Sequence, residues 1–490
     1  MRRKALLSLI PGLEAAIVVG FVVALRSGTM PLGVRGEWEW LRVPNAPEAI
    51  HILLAGVGLG IYATLAALLM GWLSKSVTPR KEAFALAALL VLAVMVQGVA
   101  HMGAPAGYGL EKWVIALHQR GSSGYFTVAK MEVREPSRFL KDYPTWIQKQ
   151  DALHLGTHPP GLILLEAVLL HAMEANPALA RKVVDLAPES VAMMLRIFGA
   201  DNPMTLADRA TLVLTGALTL LACSATVLPL YRLARNSLSP AYAFASASLW
   251  PLVPSAIMFQ PTADTAFALI STLVPALAMP ALKGPRARSV GLGILCGGIL
   301  GIAMQFTLAF LAVGLIVALV TAADRRSTTA QKWTFLLATG SGFLGFTLLF
   351  WWISGANPFL IWWWNQKNHA RFYEEFPRSY RAWVMANPIE LAVGLGLPCV
   401  IWAGVGLSNP RGLPPVSVAT LGVLTLLTLG GRNLSEVGRL WIPFMPALLV
   451  AAGYGMERLG AGPKSLGATI AILAIQLLAL EATIQVVYPI

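Results

Sequence analysis

The sequence predicts an all-α, polytopic integral membrane protein, and three observations carry that prediction. The 490-residue chain is 56% hydrophobic and only 12% charged, whereas soluble domains are about a quarter charged. Apolar runs long enough to cross a bilayer recur along most of it. The Lys and Arg residues lie in short clusters between those runs, as positive-inside topology requires. That pattern accounts for the net charge of +13, so no nucleic-acid partner is expected; the partner is the lipid bilayer.

In chain order the runs lie near 6–25, 50–73, 83–101, 206–230, 240–258, 264–282, 289–303, 306–323, 333–354, 389–408, 414–430, 440–456 and 465–487. They give about thirteen transmembrane helices. Met1-Arg-Arg-Lys4 before the first run resembles a signal-peptide start. No small-residue cleavage site follows, so an uncleaved span with a cytoplasmic N-terminus is expected. Three segments result: N-terminal helices over 1–101, an outer loop with juxtamembrane helices over 102–205, and a transmembrane core over 206–490 with an outer loop at 355–388. Cys223, Cys296 and Cys399 lie in apolar runs and give neither a disulfide framework nor metal-ligand spacing.

With the N-terminus inside, alternation of the spans puts Lys75/Arg80/Lys81, Arg232/Arg235, Lys283/Arg286/Arg288, Arg325/Arg326/Lys332, Arg411 and Arg458/Lys464 on the cytoplasmic side. This holds only if the apolar stretch 162–174 does not span, and at about a dozen residues it is too short to do so. It reads instead as a re-entrant or interfacial helix. The long loops then gather on the opposite, extracytoplasmic face of a plasma (inner) membrane, and that is where chemistry is expected.

The outer segment ends in a rigid elbow, His154-Leu-Gly-Thr-His158-Pro-Pro-Gly161. Two prolines cannot sit inside a helix, and the first biases His158 to an extended backbone. Upstream lie the acids Glu132, Asp142 and Asp151, any of which could act as a general base or metal ligand. The alternative is a solvated loop on the headgroups, anchored by Trp113 and Trp146. Asp264, just after Pro261 at the mouth of a span, reads equally as a helix-terminal cap or as a costly, functional carboxylate at membrane depth. In 355–388, Trp362-Trp-Trp364 precedes Lys367, His369 and Arg371. This suits an interfacial anchor, or a lipid-phosphate site with rings lining a carrier groove. Glu436 and Arg439 are three apart and can pair on one helical turn, while Arg439 could equally bind phosphate.

Taken in order, these features resemble the C-type (GT-C) membrane glycosyltransferases, and most of all the protein mannosyltransferase and aminoarabinose transferase branch. Thr157-His158-Pro159-Pro160-Gly161 stands where that family has Lys-Pro-Pro-Leu, and Tyr125 with Ala129 is similar to its acid-x-Tyr-x-x-x-Ala start. Pro261-Thr-Ala-Asp264 is similar to its aspartate turn, and Arg439-Leu-Trp-Ile-Pro443 to its late Arg-aromatic-x-Pro span. The likeness runs from about 102 to 450, making the first two spans an addition to the core. Where the family has its catalytic carboxylate, this chain has Ser122, Ser123 and Gly124. The base must then come from Glu132, Asp142 or Asp151, or it has been lost.

The resemblance implies transfer of a sugar from a polyprenyl-phosphate carrier to a glycan, lipid or protein acceptor at the outer face. Asp264, Glu132, Asp142 and Asp151 are the candidate catalytic acids. Tyr125, His158, Lys367, His369, Arg371, Glu436 and Arg439 are the candidate substrate ligands. No cofactor is fixed by the sequence, although the acids would admit a divalent cation. The alternatives are a lipid or solute transporter and a non-catalytic, GT-C-like cell-envelope assembly protein. Against a transporter stand two expectations: that no span carries a charge near its middle, and that no pair of broken helices occurs in matching halves.

Overall fold

The structure, a computed structural model, describes residues 2–409 and 412–486. Arg411 and the last residue of the 465–487 run lie outside the described residues. The fold is 76% helical and nearly all-α. Among the described residues nine helices are long and apolar enough to cross a membrane, or eleven if each of two bent pairs is one span.

The count falls short of about thirteen for identifiable reasons. Pro251 and Pro254 break the 240–258 run into Pro240–Leu249, a 3₁₀ turn Trp250–Leu252 and Pro254–Met258. Phe310–Ala323 and Pro415–Leu429 have 14 and 15 residues. At 1.5 Å per residue each reaches only about 21–23 Å, less than the ~30 Å hydrocarbon core. The 389–408 run becomes Tyr380–Leu395 and Leu397–Leu407, bent by 107°. The stretch expected to be interfacial is the helix Gly161–Ala175, bent by 108° into Pro177–Asp185. The basic clusters fall at helix ends: Lys75 closes Ala49–Lys75, Arg80 and Lys81 open Pro79–Ala100, and Arg286 opens Arg286–Ala303.

The chain forms two compact units. The first gathers the segments up to Gly109, Leu220–Ala276 and Ser379–Val486. In it Leu397–Leu407 packs against Met445–Leu459, and Arg2–Arg26 and Ala49–Lys75 both pack on Pro463–Glu481. The first two helices are thus packed into this unit. Glu14, wholly buried halfway along Arg2–Arg26, corrects the expectation that no span carries a central charge. It accepts the Thr469 hydroxyl at 3.0 Å, and Thr469 accepts the Trp402 indole N–H at 2.9 Å, so three helices share one polar clamp. Two helix pairs are sharply bent. At Gly396 (φ 99°) the chain takes a conformation few L residues adopt, and Gln476 pairs the backbone this leaves open. It accepts Leu397 N–H at 2.8 Å and donates to Val393 O at 3.1 Å.

The second unit gathers Leu110–Thr219 and Leu277–Arg378. Its most intimate helix pair is Arg286–Ala303 against Thr329–Ser354. Gly297 and Gly342 lie at the crossing, where an added Cβ would strike the carbonyl oxygens of Thr339 and Ile294. Small residues of this kind let helices approach where lipid supplies no hydrophobic drive. Gly297→Leu should therefore destabilise the unit by about 1–3 kcal/mol through overpacking. Gly298→Leu should leave thermal unfolding in detergent almost unchanged, because Gly298 has open space where its Cβ would be.

Candidate functional site

In the first unit the polar residues collect at a turn, Asn433 to Trp441. Ser435 (φ 107°) and Glu436 (φ 54°) are both left-handed, and they are the non-glycine residues with positive φ among those described. Such backbone costs about 1–3 kcal/mol per residue and persists only where its surroundings enforce it. Here the surroundings are hydrogen-bonded. Asn387 donates to Asn433 O at 2.8 Å, Gly438 N–H reaches Glu390 Oε2 at 3.4 Å, and Ser271 donates to Pro443 O.

The turn presents Arg439 between two carboxylates. Its Nη2 lies 2.8 Å from Glu436 Oε2, and its Nε lies 3.7 Å from Asp264 Oδ2. The pairing of Glu436 with Arg439 follows their spacing. The approach of Asp264 is tertiary: it lies in the first turn of Ala263–Leu282, so the helix dipole favours it there. All three side chains are about one-fifth exposed, enough for a ligand to reach. An arginine shared by two acids is oriented and always charged, and an incoming phosphate could take the place of one carboxylate.

Two residues of this site were not anticipated. Glu390 is 1% exposed and aims at the backbone N–H groups of Val437 and Gly438 and at the Trp40 side chain. Trp40 itself is buried, meets Phe259 edge-on at 6.0 Å and covers Gly438, where a Cβ would lie 2.6 Å from the indole. The strap that carries Trp40 is fastened at both sides. Glu37 accepts Trp383 Nε1 at 2.7 Å and Ser379 N–H at 3.0 Å, while Leu41 and Arg42 pair with Gln485 and Ile484. Glu390 had a legible signal: a lone acid just after Pro388 inside an apolar run is functional by default. Trp40 had none.

In the second unit the elbow is a packed turn. Asp151 accepts Leu153 and His154 N–H at 3.0 and 2.9 Å, so it serves as the cap of the turn. Thr157 bonds back to Leu153 O at 2.8 Å, and His158 Nδ1 lies 3.0 Å from His154 O. Tyr143 donates to His158 O at 2.8 Å. Burial pushes the Tyr143 phenol well above its usual range, so it remains a donor. The Tyr125 ring meets His158 edge-on at 5.8 Å, which brings two expected ligands together.

The helix Pro358–Glu375 braces the elbow, but not with the expected residues. Asn365 and Asn368, buried in register with Ile361, donate to Gly156 O at 3.1 and 2.9 Å, and Asn368 also reaches Ile147 O at 3.2 Å. Their helical spacing was a readable signal. Lys367 points to the exposed side, 5.4 and 5.5 Å over the rings of Trp363 and Trp364. His369 meets Tyr373 at 5.3 Å. Arg371 lies 3.0 Å from Glu375 and donates to Gln150 O. Of the upstream acids, Glu132 accepts Trp146 Nε1 at 2.6 Å, and Asp142 is exposed, 4.0 Å from Arg138. Among the described residues no three His, Cys, Asp or Glu side chains gather as a cation site. A Mg²⁺ held by one or two carboxylates plus substrate phosphates would not need such a group.

No protein-family model matches the chain, and no curated protein matches it. Function must therefore be argued from the residues.

Asn368→Ala should remove a donor from two buried carbonyls and cost about 1–3 kcal/mol. Lys367→Ala on the exposed face should stay within about 0.5 kcal/mol. Thermal unfolding of both variants in the same detergent checks the contrast.

Proposed function

We propose that the chain is a membrane glycosyltransferase of the GT-C type. It would transfer a sugar from a polyprenyl-phosphate carrier to an acceptor at the extracytoplasmic face of the plasma (inner) membrane. The observation that carries this reading is Arg439 held between Asp264 and Glu436 on a strained turn, buttressed by the buried Glu390. In the proposed step the acceptor hydroxyl oxygen attacks the anomeric carbon. The bond from that carbon to the carrier phosphate breaks, and the phosphate leaves with the electron pair. Asp264 takes the acceptor's proton, and Arg439 stabilises the leaving phosphate. Glu436 and Glu390 are positioning residues, the first through the guanidinium and the second through the backbone of the turn.

A second reading, a lipid or solute transporter, gains support from Glu14 at the middle of a span and from the two bent helix pairs. The two readings separate in vesicles loaded with a panel of polyprenyl-phosphate sugars: cleavage of the carrier–sugar bond marks the transferase, flux without cleavage the transporter.

Asp264→Asn should lower transfer by about a hundredfold or more, the scale for loss of a positioned general base, while thermal stability changes little. Full activity in that variant would reduce Asp264 to a structural partner of Arg439.

Orientation has its own test. Cysteines placed at Asp142, Asp264 and Arg371 should react with an impermeant thiol reagent added outside intact cells, and one at Arg286 should not. Labelling of the last with protection of Asp264 would invert the assignment.

A further inference from the structure

The second unit carries a groove of about 340 Å³ that the proposed chemistry does not use. It is lined by Phe139 and Trp146 on one side and by charged side chains around them. The two rings form a continuous surface: Trp146 stacks on Tyr143 at 5.2 Å and meets Phe139 edge-on at 5.3 Å. Tyr143 is wholly buried behind them, so this wall is fixed in place. Around it stand three carboxylates, Glu132, Glu135 and Asp142, and two guanidiniums, Arg134 and Arg138.

That composition selects a ligand class. Three acids against two bases leave the groove slightly acidic within a chain of net charge +13. A phosphate or other anion is thus disfavoured here. A bare divalent cation is disfavoured too, because among the described residues the acids do not converge in threes. A neutral polyol suits it. Its C–H face can lie on an aromatic wall, and its hydroxyls, each donor and acceptor, can meet carboxylates and guanidiniums together. The volume is at the small end of the range for ligand pockets and fits a mono- or disaccharide unit.

We infer that this groove binds a neutral saccharide.

The full-length protein in zwitterionic nanodiscs is tested by saturation-transfer NMR against methyl α-mannopyranoside, a mannan oligosaccharide and an arabinan oligosaccharide. Inorganic phosphate, Mg²⁺ and oligolysine serve as comparison probes. Asp142→Ala and Arg134→Ala change exposed side chains and should leave thermal unfolding unchanged. At least one saccharide should bind to the unmodified protein, and each variant should weaken it about tenfold, the loss of one hydrogen bond to a charged group. Binding that is equal in both variants, or response to phosphate, Mg²⁺ or oligolysine alone, overturns the inference. Saccharide binding without sugar transfer leaves the groove standing and removes the transferase. Sugar transfer without saccharide binding to the groove does the reverse.

Discussion

A backbone N–H or carbonyl left unpaired in hydrocarbon costs several kcal/mol, and this constraint decides where the helices can break. Several interruptions are closed by a named side chain or backbone group. Gln476 spans the bend at Gly396, and Gly161 N–H at the start of its helix finds Gln305 O at 2.7 Å. The Trp250 indole, in the proline-broken segment, donates to Cys223 O at 2.7 Å. Asn365 and Asn368 close the turn at Gly156. Breaks in an apolar chain are costly, so their positions are informative: they carry the elbow and adjoin the turn that holds Arg439.

The buried acids divide by what they bond. Glu14 holds helices together through Thr469 and Trp402. Glu390 accepts the Gly438 backbone N–H and fixes the shape of the Ser435–Arg439 turn. Asp264 and Glu436 bond to a guanidinium at partly exposed positions, where the bond can be exchanged for one to a ligand. An acid committed to backbone cannot readily take a proton from a substrate, and this separates Asp151, the cap of the elbow, from Asp264.

How much of the site was legible varied residue by residue. Glu436 and Arg439 pair as their three-residue spacing implies, since that geometry is local to one helical turn. Tyr125 and His158 do meet, but through a fold of the intervening chain that no spacing encodes. In the Trp-rich helix the cations drew attention by type, while the asparagines that brace the elbow could be found only by following the buried face from Ile361. Glu14 leaves little mark on the pattern, because one carboxylate scarcely lowers the hydropathy of a strongly apolar run.

By itself the sequence determined the class of the protein: helical, apolar and basic at its helix ends. Those properties follow from composition and from the reach of a helix, and both are read along the chain. The tertiary structure decided which runs bend, which acids are spent on backbone, and that Asp264, Glu436 and Glu390 gather around the turn of Arg439. Asp264 and Arg439 are more than a hundred positions apart, and Glu390 meets Gly438 across 48. In an interior without water their partners are chosen by the need to satisfy every buried polar group at once, which is a property of the packed bundle.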